Sequence, residues 1–317
     1  MILVTGATGF LGSALVDYLV REGVPVRALV RSPQKAGVLP VSVERVPGDL
    51  SDEVSLRRAM EGCEGVMHLA AQVAASVGAG SSFDATRESI VGGTKRVMEA
   101  ATRAGVRRMV YASSSAGIVD ATGLVSEQAP NRTALTAAYS VSKAEMEGLI
   151  FKAVADGFDV RIVNIVNGYG PCPAGVLSYT TALLQAARGE VDAIIDAEVG
   201  WVYTEDVSRG HLLAYERGEP GKRYVLCGET MRFPEILNRA AKLWDSAHRV
   251  RPLPIGTPVD PNASFFYHRA ASYGALGPVR IDDAQARGIG FQPRGVEEGL
   301  RLTMEWLRAS EDIGGGR

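Results

Sequence analysis

The stretch ILVTGATGFLGSALV, residues 2–16, decides the fold. Apolar residues run into glycines at 6, 9 and 12, and an apolar-periodic segment follows. A strand entering a tight turn and then a helix explains why side chains are given up there. Glycine supplies positive φ where the chain reverses, and it lets a ligand or a neighbouring segment approach the backbone. The first N–H groups of such a helix point outward with the positive end of its dipole, which makes them a seat for a pyrophosphate. Taken alone, GxxGxxG in a chain with 36 glycines describes only a sharp turn. Its context says more: a second strand, PVRALVR at 25–31, arrives about 20 residues on, where the residue that reads a cofactor ribose belongs. Strand, glycine turn, helix and second strand together predict a dinucleotide site.

That second strand ends in Arg31 where a carboxylate would bind a free 2′-hydroxyl. A guanidinium pairs with a 2′-phosphate instead, so NADP(H) is the expected cofactor and NAD(H) the alternative. Lys35, one helical turn further, adds a second cation, and Ser32 a hydrogen-bond donor. A solvated pair of surface charges is the plainer reading of Arg31 and Lys35. Asp49, in PGDLSD, can accept from an adenine amino group or serve as an ordinary turn residue.

Short β-branched runs alternate with helical patterns through the first half of the chain, the signature of βαβ units and a parallel sheet. Strands are expected at Ile2–Thr5, Val26–Val30, Val41–Val46, Gly65–Leu69, Arg108–Ala112 and Val160–Asn164, with helices at Phe10–Glu22, Ser55–Met60, Ser82–Ala104 and Ala138–Ala155. Six such strands describe an α/β, Rossmann-type doubly wound sheet. After about residue 165 proline and glycine become frequent, as in NGYGPCPAG and RPLPIGTPVDPN, and helical patterns recur at Ser178–Arg188, Phe233–Leu243 and Val296–Ala309. A cofactor domain over 1–165 and a smaller substrate lobe over 166–312 follow, with DAIIDA and RYVLCG, near 190–230, expected to return to the sheet. The tail GGGR is expected to fray.

Composition narrows the function. Apolar residues make up 46% and charged ones 22%, and the net charge is −2, so the broad cationic field of a nucleic-acid binder is missing. No run of about 18 apolar residues or basic leader stands out, which points to a cytoplasmic protein away from membranes. Cys63, Cys172 and Cys227 show no metal-ligand spacing and read as small buried hydrophobes, so no metal is expected. His68, His211, His248 and His268 are scattered, and their spacing points to no catalytic role.

A second constellation lies in AAYSVSKAEME, where Tyr139 and Lys143 stand four apart on an expected helix and share a face. An ammonium near a phenol stabilises the phenolate, so Lys143 is expected to lower the pKa of Tyr139 and to hold ribose hydroxyls. The fifth strand ends in YASSSAG, which places the hydroxyls of Ser113, Ser114 and Ser115 at the carboxyl edge of the sheet, where ligands of open α/β folds sit. A loop and cap role is the alternative for these serines.

TGATGFLG, MHLAA on the fourth strand, SSSA after the fifth and YSVSK together resemble the extended short-chain dehydrogenase/reductase family, also called NAD-dependent epimerase/dehydratase. The resemblance is close over about residues 1–175 and looser through WVYTEDVSRGHLLAYERGEPGKRYVLCGE. Within the family, the sequence is similar to dihydroflavonol reductase, hydroxysteroid dehydrogenase and hopanoid-associated sugar-epimerase types. Position by position, the resemblance implies Ser115 as the catalytic hydroxyl, with Ser114 as the second choice, Tyr139 as the proton exchanger and Lys143 as the ribose ligand. It implies that Gly6, Gly9, Phe10, Leu11 and Gly12 cradle the pyrophosphate, that Ala70 and Ala71 border the adenine ribose and phosphate, and that Thr8 and Leu50 also bind the cofactor. Two departures stand out: Ile90 in IVGGT occupies a place often held by asparagine, and Ile165 in VNIVNGYGP a place often held by proline.

The implied activity is NADPH-dependent reduction of a carbonyl, or the reverse alcohol oxidation, on a small or aromatic metabolite. A nucleotide-sugar epimerase with tightly held cofactor is the alternative, and a cofactor-sensing protein without chemistry the third reading. A dehydratase fits less well, because SSSAGIVD lacks an Asp-Glu pair after the hydroxyl residue. Loops 73–82, 117–122 and 167–178 are expected to line the substrate pocket, and ASFFYHR at 263–269 either adds aromatic surface there or packs the lobe. The resemblance also implies a homodimer paired through the helices Ser82–Ala104 and Ala138–Ala155.

Overall fold

The computed structural model describes residues 1–71 and 82–314. The N-terminal elements alternate as β1 (Ile2–Thr5), α1 (Phe10–Arg21), β2 (Val26–Val30), β3 (Glu44–Pro47), α2 (Glu53–Met60) and β4 (Gly65–His68). A helical run then comprises α3 (Phe83–Arg87), a π-helical turn (Glu88–Gly92) and α4 (Gly93–Arg103), before β5 (Arg108–Ser114), β6 (Leu124–Ser126), α5 (Ala138–Ala155) and β7 (Asp159–Ile165). The remainder comprises β8 (Asn167–Tyr169), α6 (Tyr179–Ala187), β9 (Ala193–Ile195), β10 (Glu198–Tyr203), α7 (Thr204–Arg217), β11 (Arg223–Leu226) and β12 (Glu229–Arg232). It closes with α8 (Phe233–Leu243), β13 (Arg251–Leu253), α9 (Phe265–Gly274), β14 (Arg280–Asp282), α10 (Ala284–Gly288) and α11 (Val296–Gly314).

Seven parallel strands form the central sheet in the order β11-β7-β5-β4-β1-β2-β3. Successive residues of β1 face opposite sides: Ile2 and Val4 join the core shared with α1 and the lobe, while Leu3 joins the core beneath α2, α4 and α5. Covering both faces is what lets the central strands be apolar at every position. Strand order reverses between β1 and β4, which opens a crevice at their carboxyl ends. Their register pairs Thr5 with His68, so the glycine turn and the segment after β4 emerge side by side.

Three expected elements differ in detail, while RYVL returns to the sheet as expected. The third strand begins at Glu44, because Val43 N bonds Pro40 O in a turn that leaves Val41 93% exposed. RYVL joins the sheet as its edge strand β11, a seventh strand beside β7. DAIIDA does not return to the sheet; its strand β9 pairs with β13 in the lobe. The helix expected over Ser82–Ala104 is a run from Phe83 to Arg103 interrupted by the π-helical turn, with Ile90 buried in that turn.

Helix α5, which carries the Tyr139–Lys143 pair, is pinned to the sheet by a buried carboxylate. Glu147 accepts from Arg223 Nε on β11 at 2.7 Å, from Asn164 Nδ2 on β7 at 2.6 Å and from the Ser113 hydroxyl on β5. Glu147 and Arg223 are 0% and 4% exposed, so each neutralises a charge that would otherwise be buried alone. Among the described residues no helix is long and apolar enough to cross a membrane.

Candidate active site

A cavity of about 680 Å³ opens at the carboxyl ends of the central strands, between the sheet and the lobe. The glycine turn forms one wall. Gly6 has φ +72°, and a Cβ there would stand 2.7 Å from Ala70 N; a Cβ on Gly12 would stand 2.0 Å from Gly6 O. Gly9 N donates to Gly6 O at 3.0 Å and caps α1 with no side chain, so the helix start stays open toward the cavity. Backbone amides, a helix N-terminus and no side-chain bulk fit a pyrophosphate. Thr8, Phe10 and Leu11 line the same wall, and Leu50, Ala70 and Ala71 continue it.

Arg31 and Lys35 lie at the far end of this wall. The Arg31 side chain is 75% exposed, with its Nη1 3.8 Å from Asp49 Oδ2, so it is free to turn to a ligand. Asp49 is a turn residue: its Oδ1 accepts from Ser51 N at 2.9 Å and Ser51 Oγ at 2.7 Å, and these hydrogen bonds hold its carboxyl below the usual range. Asp49 also lines the cavity.

Tyr139, Lys143, Ser114 and Ser115 line the middle of the cavity. The Lys143 ammonium donates to Ala112 O at 2.6 Å and Tyr111 Oη at 3.1 Å, and burial pushes its pKa down to about 7. It sits 5.8 Å from the centre of the Tyr139 ring. The expected lowering of the Tyr139 pKa by Lys143 is not what the geometry gives: burial raises the phenol, against smaller lowering effects from nearby Arg269 and Ser114. The Lys143 ammonium is instead taken up by Ala112 O and Tyr111 Oη of β5. Ser114 Oγ also caps Ala116 N at 3.2 Å, while Ser115 Oγ lies 3.3 Å from Tyr273 Oη.

Other expectations resolve individually. His68 is a satisfied core residue between Thr5 Oγ1 (2.6 Å) and Thr94 Oγ1 (3.0 Å), and burial drives its pKa down to about 3. The three cysteines are buried and free, and among the described residues no cluster fits a metal. Residues 117–122 do not line the cavity; Ile118 and Val119 are in the core. From the other loops, Asn167, Gly168, Leu177 and Ser178 do line it, as do Ile165 and Phe265, while residues 73–81 lie outside the described residues. Ser178 adopts φ +58° and ψ −137°, a backbone state that glycine tolerates far better.

The cavity is also lined by Tyr179 at the start of α6 and Tyr273 on α9, neither singled out in the sequence, and by Arg269, the last residue of ASFFYHR. Arg269 and Tyr273 are four apart and share a helix face, a signal present in YHRAASY. Their guanidinium and ring lie 5.6 Å apart.

The NAD dependent epimerase/dehydratase family profile matches residues 2–227. The chain belongs to that family. It is similar to a sterol demethylase protein B of Methylococcus capsulatus, 35% identical over 327 residues, covering 96% of this chain and 98% of that one. It is also similar to a putative dihydroflavonol 4-reductase of Synechocystis, 33% identical over 246 residues, covering 74% of this chain and 69% of the other. Among solved structures, MoeE5 in complex with UDP-glucose and NAD superposes with a TM-score of 0.77 at 27% identity, covering 98% and 99% of the two chains. Membership of this epimerase/dehydratase family makes the protein an NAD(P)-dependent oxidoreductase. Within this family member, Gly12→Ala is expected to cost about 2 kcal/mol by overpacking the turn. Thermal denaturation should show the loss and an NADPH titration weaker binding; a variant unchanged in both would contradict the close approach at Gly6.

Proposed function

We propose that the protein is an NADPH-dependent reductase of a small-molecule carbonyl. The observation that carries this reading is a single cavity lined both by the glycine cradle with Arg31 and by Tyr139, Ser114, Ser115 and Lys143. The nicotinamide cofactor, when bound, supplies the hydride. Gly6, Gly9 and Gly12 hold its pyrophosphate, Arg31 and Lys35 its 2′-phosphate, Leu50, Ala70 and Ala71 flank its adenosine, and Lys143 its ribose. Ser115, with Ser114 beside it, donates a hydrogen bond to the substrate oxygen, and Tyr139 Oη hands that oxygen a proton. A phenol held protonated by burial suits the donor role. Positioned donors stabilise the developing alkoxide, and enclosure by Ile165, Leu177 and Phe265 limits water.

Nucleotide-sugar epimerisation is the second reading, favoured by the likeness to MoeE5 with its UDP-glucose and NAD. An epimerase returns its hydride, so net NADPH consumption with a carbonyl panel separates the two. Binding of NADPH without turnover of any panel member would favour a cofactor sensor. Cofactor choice is testable at Arg31. Arg31→Glu is expected to lower the ratio of kcat/KM for NADPH over NADH by about a hundredfold, through loss of a charge-assisted phosphate contact and repulsion of the phosphate. An unchanged ratio would remove the NADP preference. We also propose a homodimer paired through α3, α4 and α5, a reading supported by the partly buried Leu149, Phe151 and Val154 on α5; sedimentation velocity would give a monomer if it is wrong.

A further inference from the structure

Among the described residues, the buried and half-buried arginines carry acidic partners, with one exception. Arg223 pairs with Glu147, Arg161 with Asp159, and Arg294 with Asp206 and Glu205. Arg269 lines the catalytic cavity, and among the described residues no ion pair involves it. Its surroundings are three phenols: Tyr273, over whose ring it lies, and Tyr179 and Tyr139, which interact electrostatically with its charge. A guanidinium stays charged at any accessible pH, and a wall of neutral rings replaces only part of the hydration it gives up. Such a group is complementary to a planar oxyanion, which it can bind through two parallel hydrogen bonds.

Position then limits what that anion is. Tyr273 lies under the guanidinium and also reaches Ser115 Oγ at 3.3 Å, so one ring separates the unpaired charge from the hydroxyl assigned to the substrate oxygen. We infer that Arg269 anchors a carboxylate of the substrate, and that the compound reduced here is an oxo acid with its carboxylate and carbonyl only a few bonds apart. Phe265 and Leu177 on the same wall supply apolar surface for the rest of that molecule. The inference rests on the reductase reading for the carbonyl, but the anion contact is measurable without turnover.

Calorimetric titration of the NADP⁺-loaded protein with benzoylacetate and with methyl benzoylacetate tests it, alongside kcat/KM for both. One lost charge-assisted contact corresponds to roughly tenfold to a hundredfold in affinity. The acid is expected to bind wild type more tightly than the ester by about that factor. Arg269→Met should lose the difference while leaving ester affinity and melting temperature close to wild type, and Arg269→Lys should recover part of it. Equal binding of acid and ester by wild type, or a difference that survives in Arg269→Met, would overturn the inference. So would failure to bind either compound, or Arg269-dependent binding of UDP-glucose in place of the acid. Arg269-dependent acid binding without NADPH consumption would uphold the anchor and remove the reductase reading, whereas NADPH consumption with no preference for acid would do the reverse.

Discussion

Tyr139→Phe is expected to lower kcat for carbonyl reduction by about a thousandfold, in the range attributed to a positioned general acid. The substitution removes one oxygen and keeps the ring, which packs against both cores of the protein. Cofactor affinity should therefore stay within about threefold of wild type, since the glycine turn and Lys143 lie on other contacts. On the proposed reading Ser114 and Ser115 still hold the substrate oxygen, so KM should move little while kcat collapses. Stopped-flow oxidation of NADPH separates these terms. Retention of more than a tenth of wild-type kcat would show that the proton comes from elsewhere, with Tyr273 next to Ser115 as the first group to examine.

The second large effect concerns the platform beneath that site. Glu147→Ala should destabilise the fold by about 4 kcal/mol, because it strands the Arg223 guanidinium without its counter-charge in a buried position. For a chain of this size that corresponds to a fall in melting temperature of roughly 10 °C, readable by calorimetry. Glu147→Gln keeps the hydrogen bonds from Asn164 and Ser113 but still leaves the guanidinium uncompensated, so it should recover only part of the loss. Because Glu147 sits one helical turn from Lys143 and its charge favours the ammonium, both variants should also weaken ribose binding. Unchanged melting temperature in Glu147→Ala would mean that α5 is held by packing alone.

What could be read from the sequence was local. Gly6, Gly9 and Gly12 announce a βα turn, Gly6 and Gly12 because backbone stands where a Cβ would go, and the Tyr139–Lys143 pair declares a shared face through helical spacing alone. The cavity residues that were missed are set by contacts distant in the chain. Arg269 reads as the end of an aromatic-rich run until α9 is folded over the sheet, where Tyr273 meets Ser115 across 158 residues. Glu147 and Arg223, 76 residues apart, look like solvated charges until β11 is seen to close the sheet edge next to α5. The same holds for the Lys143 ammonium: spacing puts it on the face of Tyr139, but the carbonyl of Ala112, supplied by another strand, captures it.

Net hydride transfer to a carbonyl is the central claim, and isotope tracing tests it most directly. The purified protein would be incubated with NADPH deuterated at the transferring carbon and with benzoylacetate among a carbonyl panel, and the products analysed by mass spectrometry. Reductase chemistry requires one deuterium on the new carbinol carbon for each NADPH oxidised. Unlabelled starting material with NADPH intact, across the whole panel, would contradict it.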